Sequence, residues 1–248
     1  MGSHLYNKLE QLGHTVLRGD RLGNISEQVD YIIDCAAYGN FYDQNDLNEI
    51  VNVNYIRVLK LLKNVTTNVK GIILTSTSSV TLPMQSPYSA SKTLMEFAGL
   101  NNKLPVVIAR PYTVYGPGDS PKHFIPKVFD SCLAGTPIPL SPEATHDYVW
   151  IKDVVDTYLK ALEQIDKFKG KIIDIGTGKP ISNSSIVVMI EHVTGKKANI
   201  SRLEQLRFYD MKNWKSDNPL PKFVHIEEGL NKIYDDIKQR LKEKITYN

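Results

Sequence analysis

Between Gly71 and Asp119 lie residue types whose spacing could do chemistry: GIILTSTSSV, then SPYSASKTLMEF, then LPVVIARPYTVYGPGD. Its centre is a Tyr four residues before a Lys. A phenol ionises near pH ~10 and is a poor base at neutral pH, but an ammonium group a few ångströms away favours the phenolate and lowers that value. Such a Tyr can exchange a proton with a substrate hydroxyl or carbonyl, an effect typically worth about 10²- to 10⁴-fold. The spacing occurs three times, at Tyr88 and Lys92, Tyr148 and Lys152, and Tyr234 and Lys238, so context must choose. Only Tyr88 follows a strand pattern ending in hydroxyls (Thr75, Ser76, Thr77, Ser78, Ser79) and opens a helix beside Pro87, with Lys92 one turn along on the same face. Tyr148 reads as a strand residue and Tyr234 as a helix-face residue. A Thr or Ser, a Tyr and a Lys are thereby expected at the carboxyl edge of a parallel sheet, where open α/β sheets bind ligands. The chemistry this suits is hydride transfer.

The elements that must position these groups alternate along the chain. Strand patterns fall at His14–Leu17, Tyr31–Cys35, Ile72–Thr75, Val106–Ala109, near Tyr148 and at Ile172–Ile175. Helical periodicity fits Ser3–Leu12, about Asp46–Asn64, Tyr88–Leu100, Phe124–Ala134, Lys152–Gln164, Ser184–Thr194 and Ile226–Lys242. Strands that are apolar throughout, separated by helices, indicate an α/β fold whose parallel sheet is covered on both faces. There are no internal repeats and no low-complexity segments.

At 248 residues and 42% hydrophobic content, the chain can bury a large core with a small appended lobe. No apolar run approaches a membrane span, and the N-terminus has no secretory apolar region. Cys35 and Cys132 read as reduced core residues rather than a disulfide or metal pair, which suits a cytoplasmic protein. The net charge of +3 is unremarkable, and the lysine-rich stretch from Lys232 to Lys244 also carries acids, so it reads as a solvated helix face rather than a nucleic-acid stripe. No His, Cys or acidic cluster has metal-ligand spacing, and a nucleophile triad has no support.

Nine segments in order carry a resemblance: GSHLYNKLEQLGHTV, VDYIIDCAA, VNYIRVLKLL, ILTSTSSV, YSASK, ARPYTVYGPGD, FIPKVFDSCLAGTPIPL, HDYVWIKDVV and IIDIGTGKPIS. Over essentially its whole length the chain resembles the extended short-chain dehydrogenase/reductase superfamily, the NAD-dependent epimerase/dehydratase family. The resemblance implies a Rossmann-type doubly wound parallel sheet in residues 1–112 and 150–176, and a small α/β substrate-binding lobe in 113–149 and 177–248. It further implies Thr77, Tyr88, Lys92 and Asn54 as catalytic residues, and a cofactor site of Gly2, Asp20, Arg21, Ala36, Ala37, Tyr88, Lys92, Pro111 and Tyr112. Lys92 would both tune Tyr88 and hold the nicotinamide ribose. The cofactor is NAD, with NADP left open: Asp20 suits the ribose of NAD, whereas Arg18 and Arg21 beside it could accept a 2′-phosphate. A homodimer through the helices near 46–64 and 88–100 is implied in the same way.

The chain departs from the family's pattern at its beginning. Relatives open with a strand and a GxxGxxG turn that approaches the cofactor pyrophosphate. Met1-Gly2-Ser3-His4-Leu5 matches only the end of that turn, with Gly2 as the third glycine, used for close helix packing. A fragment or misplaced start, an intact protein that has lost cofactor binding, and a cloning remnant at Met1–His4 are the three explanations. The retained Asp20, six residues after His14, favours the first. Without two or three charge-assisted phosphate bonds, at roughly 1.5 to 3 kcal/mol each, cofactor affinity is expected to fall by about three or more powers of ten. A family-like strand restored before Gly2 should recover it.

On the substrate side, Ser78 and Ser79 follow Thr77 where 4,6-dehydratases carry an Asp and a Glu, which argues against a dehydratase. Thr113 stands at the position of a frequent substrate-contacting Asn, and His146 where relatives carry an Arg for the diphosphate. Lys122, His123 and Lys127 are further cations that could meet phosphate. The expected activity is NAD(P)-dependent epimerisation or reduction of a sugar nucleotide. The alternative, of a different class, is a non-catalytic remnant serving as a binding or scaffold subunit.

Overall fold

A computed structural model describes residues 1–19, 28–41, 43–65, 68–82, 86–202 and 211–246. In chain order the elements are α1 (Gly2–Gln11), β1 (Tyr31–Asp34), α2 (Leu47–Val51), a π-helical turn (Asn52–Ile56), α3 (Arg57–Asn64), β2 (Gly71–Thr75), a 3₁₀ turn (Ser78–Thr81), α4 (Pro87–Leu100), β3 (Val106–Pro111), β4 (Thr113–Tyr115), α5 (Phe124–Ala134), β5 (Ile138–Leu140), β6 (Thr145–Trp150), α6 (Ile151–Glu163), α7 (Ile165–Phe168), β7 (Ile172–Ile175), β8 (Pro180–Ser182), α8 (Asn183–Thr194), β9 (Ile200–Arg202) and α9 (Ile226–Thr246).

The chain divides into two compact units, Met1–Pro111 with Val154–Ile175, and Tyr112–Asp153 with Gly176–Asn248. The first is a four-stranded parallel sheet in the order β1-β2-β3-β7, with Ile72 opposite Val106 and Ile108 opposite Ile172. Every residue of β2 is buried, as expected of a strand covered on both faces. Ile72, Leu74, Val106 and Ile108 pack against Val58, Leu61 and Leu62 of α3 and Met95 of α4. A Cβ on Gly99 would lie 2.9 Å from a Leu74 methyl and 3.0 Å from an Ile108 methyl, so the close approach of α4 to the sheet requires glycine there. Ser86 caps α4 by accepting the Ser89 N–H at 3.2 Å, and Pro87 fills the first turn, where its missing N–H costs nothing.

In the second unit β4 pairs with β6 in parallel and β8 joins β6 antiparallel, while β5 pairs with β9. Helices α5, α8 and α9 pack beside them, with Phe129 stacked on Tyr234 at 6.3 Å between ring centres.

Two expectations are corrected. Residues 14–17 form no strand; they are largely exposed, and the His14 N–H turns back to the Leu9 carbonyl at 3.1 Å. A strand exists by pairing, and among the described residues none pairs with this segment. The helix near 46–64 is not uniformly α: its middle turn is π-helical. The three-residue strands β4, β5, β8 and β9 are too short to leave a period in the sequence.

Candidate active site

Because the four strands of the first unit are parallel, their carboxyl ends share one edge, and the chemistry-bearing residues collect there. β1 ends in Asp34 and runs into Cys35, Ala36, Ala37 and Tyr38; β2 ends in Thr75 and runs into Ser76 and Thr77; α4 begins beside them with Tyr88.

Lys92 is 1% exposed, and its ammonium donates to the Thr75 carbonyl at 2.9 Å and the Ala36 carbonyl at 3.3 Å, with Met95 Sδ at 4.0 Å. A buried charge needs this solvation by carbonyls. Burial brings the Lys92 pKa down to about 8, with the Asp34 carboxylate pulling it up and the Arg57 guanidinium pushing it further down. Tyr88 is half-buried; burial pushes its pKa up to about 12, and a hydrogen bond with Thr77 draws it back in part. The expected lowering of Tyr88 by Lys92 is therefore not seen in the structure. The ammonium is engaged by strand-end carbonyls, and desolvation of the phenol dominates.

Asn54 lies in the π-helical turn and is fully buried. Its Oδ1 accepts the Tyr38 N–H at 3.0 Å, while its Nδ2 donates to the Tyr38 carbonyl at 2.7 Å and to Ser91 Oγ at 2.9 Å. Ser91 Oγ donates in turn to the Tyr88 carbonyl at 2.7 Å, so Asn54 ties the loop after β1 to the start of α4. That loop is held a second time by Asp34, whose Oδ1 accepts the Ala36 N–H at 3.2 Å and whose Oδ2 pairs with Arg57 Nη2 at 2.5 Å. Gly39 closes the loop at φ +98°, where a Cβ would come within 2.8 Å of Ile50. Ala36 is left half-buried and Ala37 exposed.

Beneath the hydroxyl strand end, Glu96 receives both arms of Arg110, Nε to Oε1 at 2.8 Å and Nη2 to Oε2 at 2.5 Å, together with Ser76 Oγ at 2.5 Å. This buried fork fixes Ser76, and with it the adjacent Thr77. Tyr158 donates to Thr75 Oγ1 at 3.1 Å, and Thr75 Oγ1 to Cys35 Sγ at 3.7 Å.

Gly2 opens α1, and a Cβ on it would sit 3.7 Å from Cys35 Cβ, an ordinary contact, so helix packing does not demand glycine there. Asp20 and Arg21 lie outside the described residues. Arg18 stacks over the Tyr6 ring at 4.4 Å. Pro111 ends β3 and is buried in the first unit.

The second unit holds the other expected residues. Thr113 on β4 and His146 on β6 approach through Thr113 Oγ1 and His146 Nδ1 at 3.4 Å. Trp214 lies against both His146 and Tyr112, at 5.6 and 6.0 Å between ring centres. His123 bonds to Asp119 at 2.6 Å beside Lys122. Tyr148 is buried in β6 with its hydroxyl 3.5 Å from Asn183 Oδ1, and Tyr234 on α9 stacks on Phe129 with Lys238 over its ring at 4.7 Å.

Sequence reasoning missed Asp147. Its fully buried carboxylate accepts Thr177 N–H at 2.8 Å, Thr177 Oγ1 at 2.5 Å, Gly178 N–H at 2.8 Å and Ser216 N–H at 2.9 Å, tying three segments of the second unit together. It also missed Asp34 with Arg57 and Glu96 with Arg110. A signal was present: acids and bases inside apolar runs such as YIID, HDYVW and VVIARP need buried partners.

The chain matches the NAD dependent epimerase/dehydratase family over residues 1–176. A trifunctional UDP-glucose 4,6-dehydratase/UDP-4-keto-6-deoxy-D-glucose 3,5-epimerase/UDP-4-keto-L-rhamnose-reductase of Arabidopsis thaliana is 27% identical over 163 residues, which is 60% of this chain and 24% of that protein. The chain thus spans about a quarter of the length of that curated relative. Among solved structures, MoeE5 in complex with UDP-glucose and NAD superposes with a TM-score of 0.85 at 22% identity, covering 97% of this chain and 96% of that one. The UDP-glucuronic acid 4-epimerase of Bacillus cereus, in complex with UDP-4-deoxy-4-fluoro-glucuronic acid and NAD, gives 0.74 at 25% identity, covering 89% and 79%.

Proposed function

Since the chain belongs to the NAD dependent epimerase/dehydratase family, we propose that it is an NAD-dependent epimerase or reductase of a sugar nucleotide, with Tyr88 as its acid/base. The observation that supports this most directly is that Tyr88 with Thr77, and the Lys92 ammonium on the Ala36 and Thr75 carbonyls, all lie at the carboxyl edge of β1 and β2.

The residues present fit the nicotinamide end of such a cofactor. Two of the three N–H donors of Lys92 go to carbonyls and, among the described residues, the third meets a weak sulfur acceptor at 4.0 Å, which would leave a donor for a ribose hydroxyl. Ala36, Ala37, Pro111 and Tyr112 would line that end, with Gly2 at the start of α1; Asp20 and Arg21 would serve the adenosine end. When bound, NAD would supply a hydride acceptor, and with 2′-phosphorylated NADP the basic side chains near Asp20 would be engaged as well. The protein's own part concerns protons. Tyr88 takes the proton of the substrate hydroxyl as that carbon is oxidised and returns it on reduction. Thr77, beside the phenol, has a single proton to give, to the phenolate or to the reacting oxygen as the charge moves between them. Asn54 acts through the loop it clamps, and Thr113 and His146 bind the nucleotide sugar.

The exposed apolar side chains Leu47, Val51, Leu59, Leu94 and Phe97 on α2, α3 and α4 favour a homodimer through those helices. No helix among the described residues is long and apolar enough to cross a membrane.

The test is a titration with NADH followed by nicotinamide fluorescence, then assays with UDP-glucose and UDP-glucuronic acid. Tyr88→Phe should retain NADH binding and lose turnover by about 10²-fold or more. Turnover retained in that variant would remove Tyr88 from the mechanism. A non-catalytic binding subunit is the second reading; it predicts NADH binding or nucleotide-sugar binding without turnover.

A further inference from the structure

Beside Lys92, the dry end of the first unit holds a second pair of charges that the proposed reaction does not use. Asp34 and Arg57 are both buried, with Oδ2 and Nη2 2.5 Å apart. A buried ion pair is weak evidence of stability, since well-packed apolar residues of similar volume often do as well. What its remaining atoms hold is more telling.

Arg57 is anchored by another of its nitrogens as well. In a regular α-helix the Val53 carbonyl would receive the Arg57 N–H, but the π-helical turn sends that N–H to the Asn52 carbonyl, and Val53 receives Arg57 Nε at 3.1 Å. The guanidinium thus holds Asp34 Oδ2 against a fixed turn. Asp34 Oδ1 faces the chain just beyond β1, where it accepts the Ala36 N–H at 3.2 Å. The carbonyl of the same Ala36 accepts from the Lys92 ammonium at 3.3 Å. Both backbone polar groups of one residue are therefore held, one by a carboxylate and the other by an ammonium.

We propose that Asp34, anchored by Arg57, is a positioning residue for Lys92: it holds Ala36 so that its carbonyl meets the ammonium, and it sets a carboxylate beside a charge that burial opposes. This rests on the reading of Lys92 as part of a nicotinamide site and adds what keeps the proton there. Facing the ammonium are Asp34 and Cys35 from the end of β1, Arg57 from α3 and Glu96 from α4. Asp34 favours the charged form most, Cys35 and Glu96 less, and Arg57 opposes it. Farther along the same edge Tyr88 and Tyr158 are phenols that burial keeps neutral, Tyr158 bonded to Thr75 Oγ1. Removing the Asp34 charge therefore takes away the leading electrostatic support of the ammonium.

Asp34→Asn keeps an oxygen for the Ala36 N–H and removes the charge. In the full chain labelled with ε-¹³C lysine, the Lys92 resonance, identified by its loss in Lys92→Met, gives the pH at which the ammonium loses its proton, expected at about 8 in wild type. Asp34→Asn should lower that midpoint by about one unit or more, the effect of an opposite charge a few ångströms away. If the pair merely braced the fold, its loss would admit water and move the midpoint up, toward the ordinary 10.5. An upward shift, or none, overturns the proposal. Because Asp34→Asn strands a buried guanidinium, the same substitution is also made in Arg57→Met, where no cation is stranded, and it should again lower the midpoint relative to Arg57→Met alone. Equal midpoints in those two variants overturn the proposal as well. The readout needs neither cofactor nor turnover, so a lowered midpoint in a protein that binds no NADH would uphold the role of Asp34 while the nicotinamide reading fails. In a protein that binds NADH, affinity should fall as pH rises through the Lys92 midpoint, and Asp34→Asn should bring that fall to lower pH by the same interval; an unmoved pH profile overturns the positioning role.

Discussion

The Lys92 ammonium donates to the Thr75 carbonyl at 2.9 Å, across the end of the sheet and away from solvent. With the Ala36 carbonyl it forms a bridge between the ends of β1 and β2, so this lysine joins two strand ends.

The bridge has a measurable pH dependence. Folding brings Lys92 from the ordinary 10.5 down to about 8, so between those values the unfolded chain binds the proton and the folded chain does not. Stability therefore rises with pH through that window. Urea unfolding of wild type and Lys92→Met from pH 7 to 10 should show wild type gaining on the variant above about pH 8. A constant difference would mean that Lys92 titrates at its ordinary value.

Tyr88 titrates in the other direction. Its folded value is pushed up to about 12 by burial, while the unfolded phenol loses its proton near 10, so its contribution to stability is lost as pH rises between the two. The absorbance at 295 nm of wild type minus Tyr88→Phe should show no step below about pH 11, one unit short of the folded value. A step centred below pH 10 would show that the phenolate is favoured without cofactor.

Asp147 supports the second unit by accepting from three backbone N–H groups and one hydroxyl. Asp147→Asn would turn an amide NH₂ toward backbone N–H donors from Gly178 and Ser216 or from Thr177. Buried hydrogen bonds to a carboxylate are costly to leave unmade, and a loss of about 3 kcal/mol or more is expected from urea denaturation. A change under about 0.5 kcal/mol, the range of an ordinary surface substitution, would show that the carboxylate is dispensable.

Phe97, 67% exposed on α4, is the most exposed of the apolar side chains on the proposed dimer face. Phe97→Glu should convert a sedimenting dimer to a monomer without changing the circular dichroism. Wild type that sediments as a monomer throughout the micromolar range would remove the dimer.

Much of the fold was legible because α/β architecture leaves strong periodic marks. The apolar runs around Ile72 and Val106 become buried parallel strands, and α4 and α5 begin within a residue of where their patterns do. The strand expected at His14–Leu17 failed because pairing is a property of neighbours, which a local pattern does not carry. Spacing brought Thr77 to Tyr88, since both follow from a strand end feeding a helix start. It did not show where the Lys92 ammonium ends, because the direction of a long, flexible side chain depends on carbonyls supplied by two other segments. Asp147 escaped notice for a similar reason: its partners lie 30 or more positions away, at Thr177, Gly178 and Ser216.

The π-helical turn at Asn52–Ile56 has an implication for how this chain tolerates insertions and deletions. Such a turn holds one residue more than the α-helical repeat, and each residue of an α-helix advances by about 100°. Deleting a single residue there would let the helix run on as regular α-helix with α2 and α3 still in phase, so Ile50 would keep its place under Gly39 and Arg57, Val58 and Leu61 theirs against Asp34 and the sheet. What the shortening would remove is the widened turn that carries Asn54 to Tyr38. The extra residue thus serves the loop clamp rather than the core: a one-residue shortening would spare the packing and unseat the clamp.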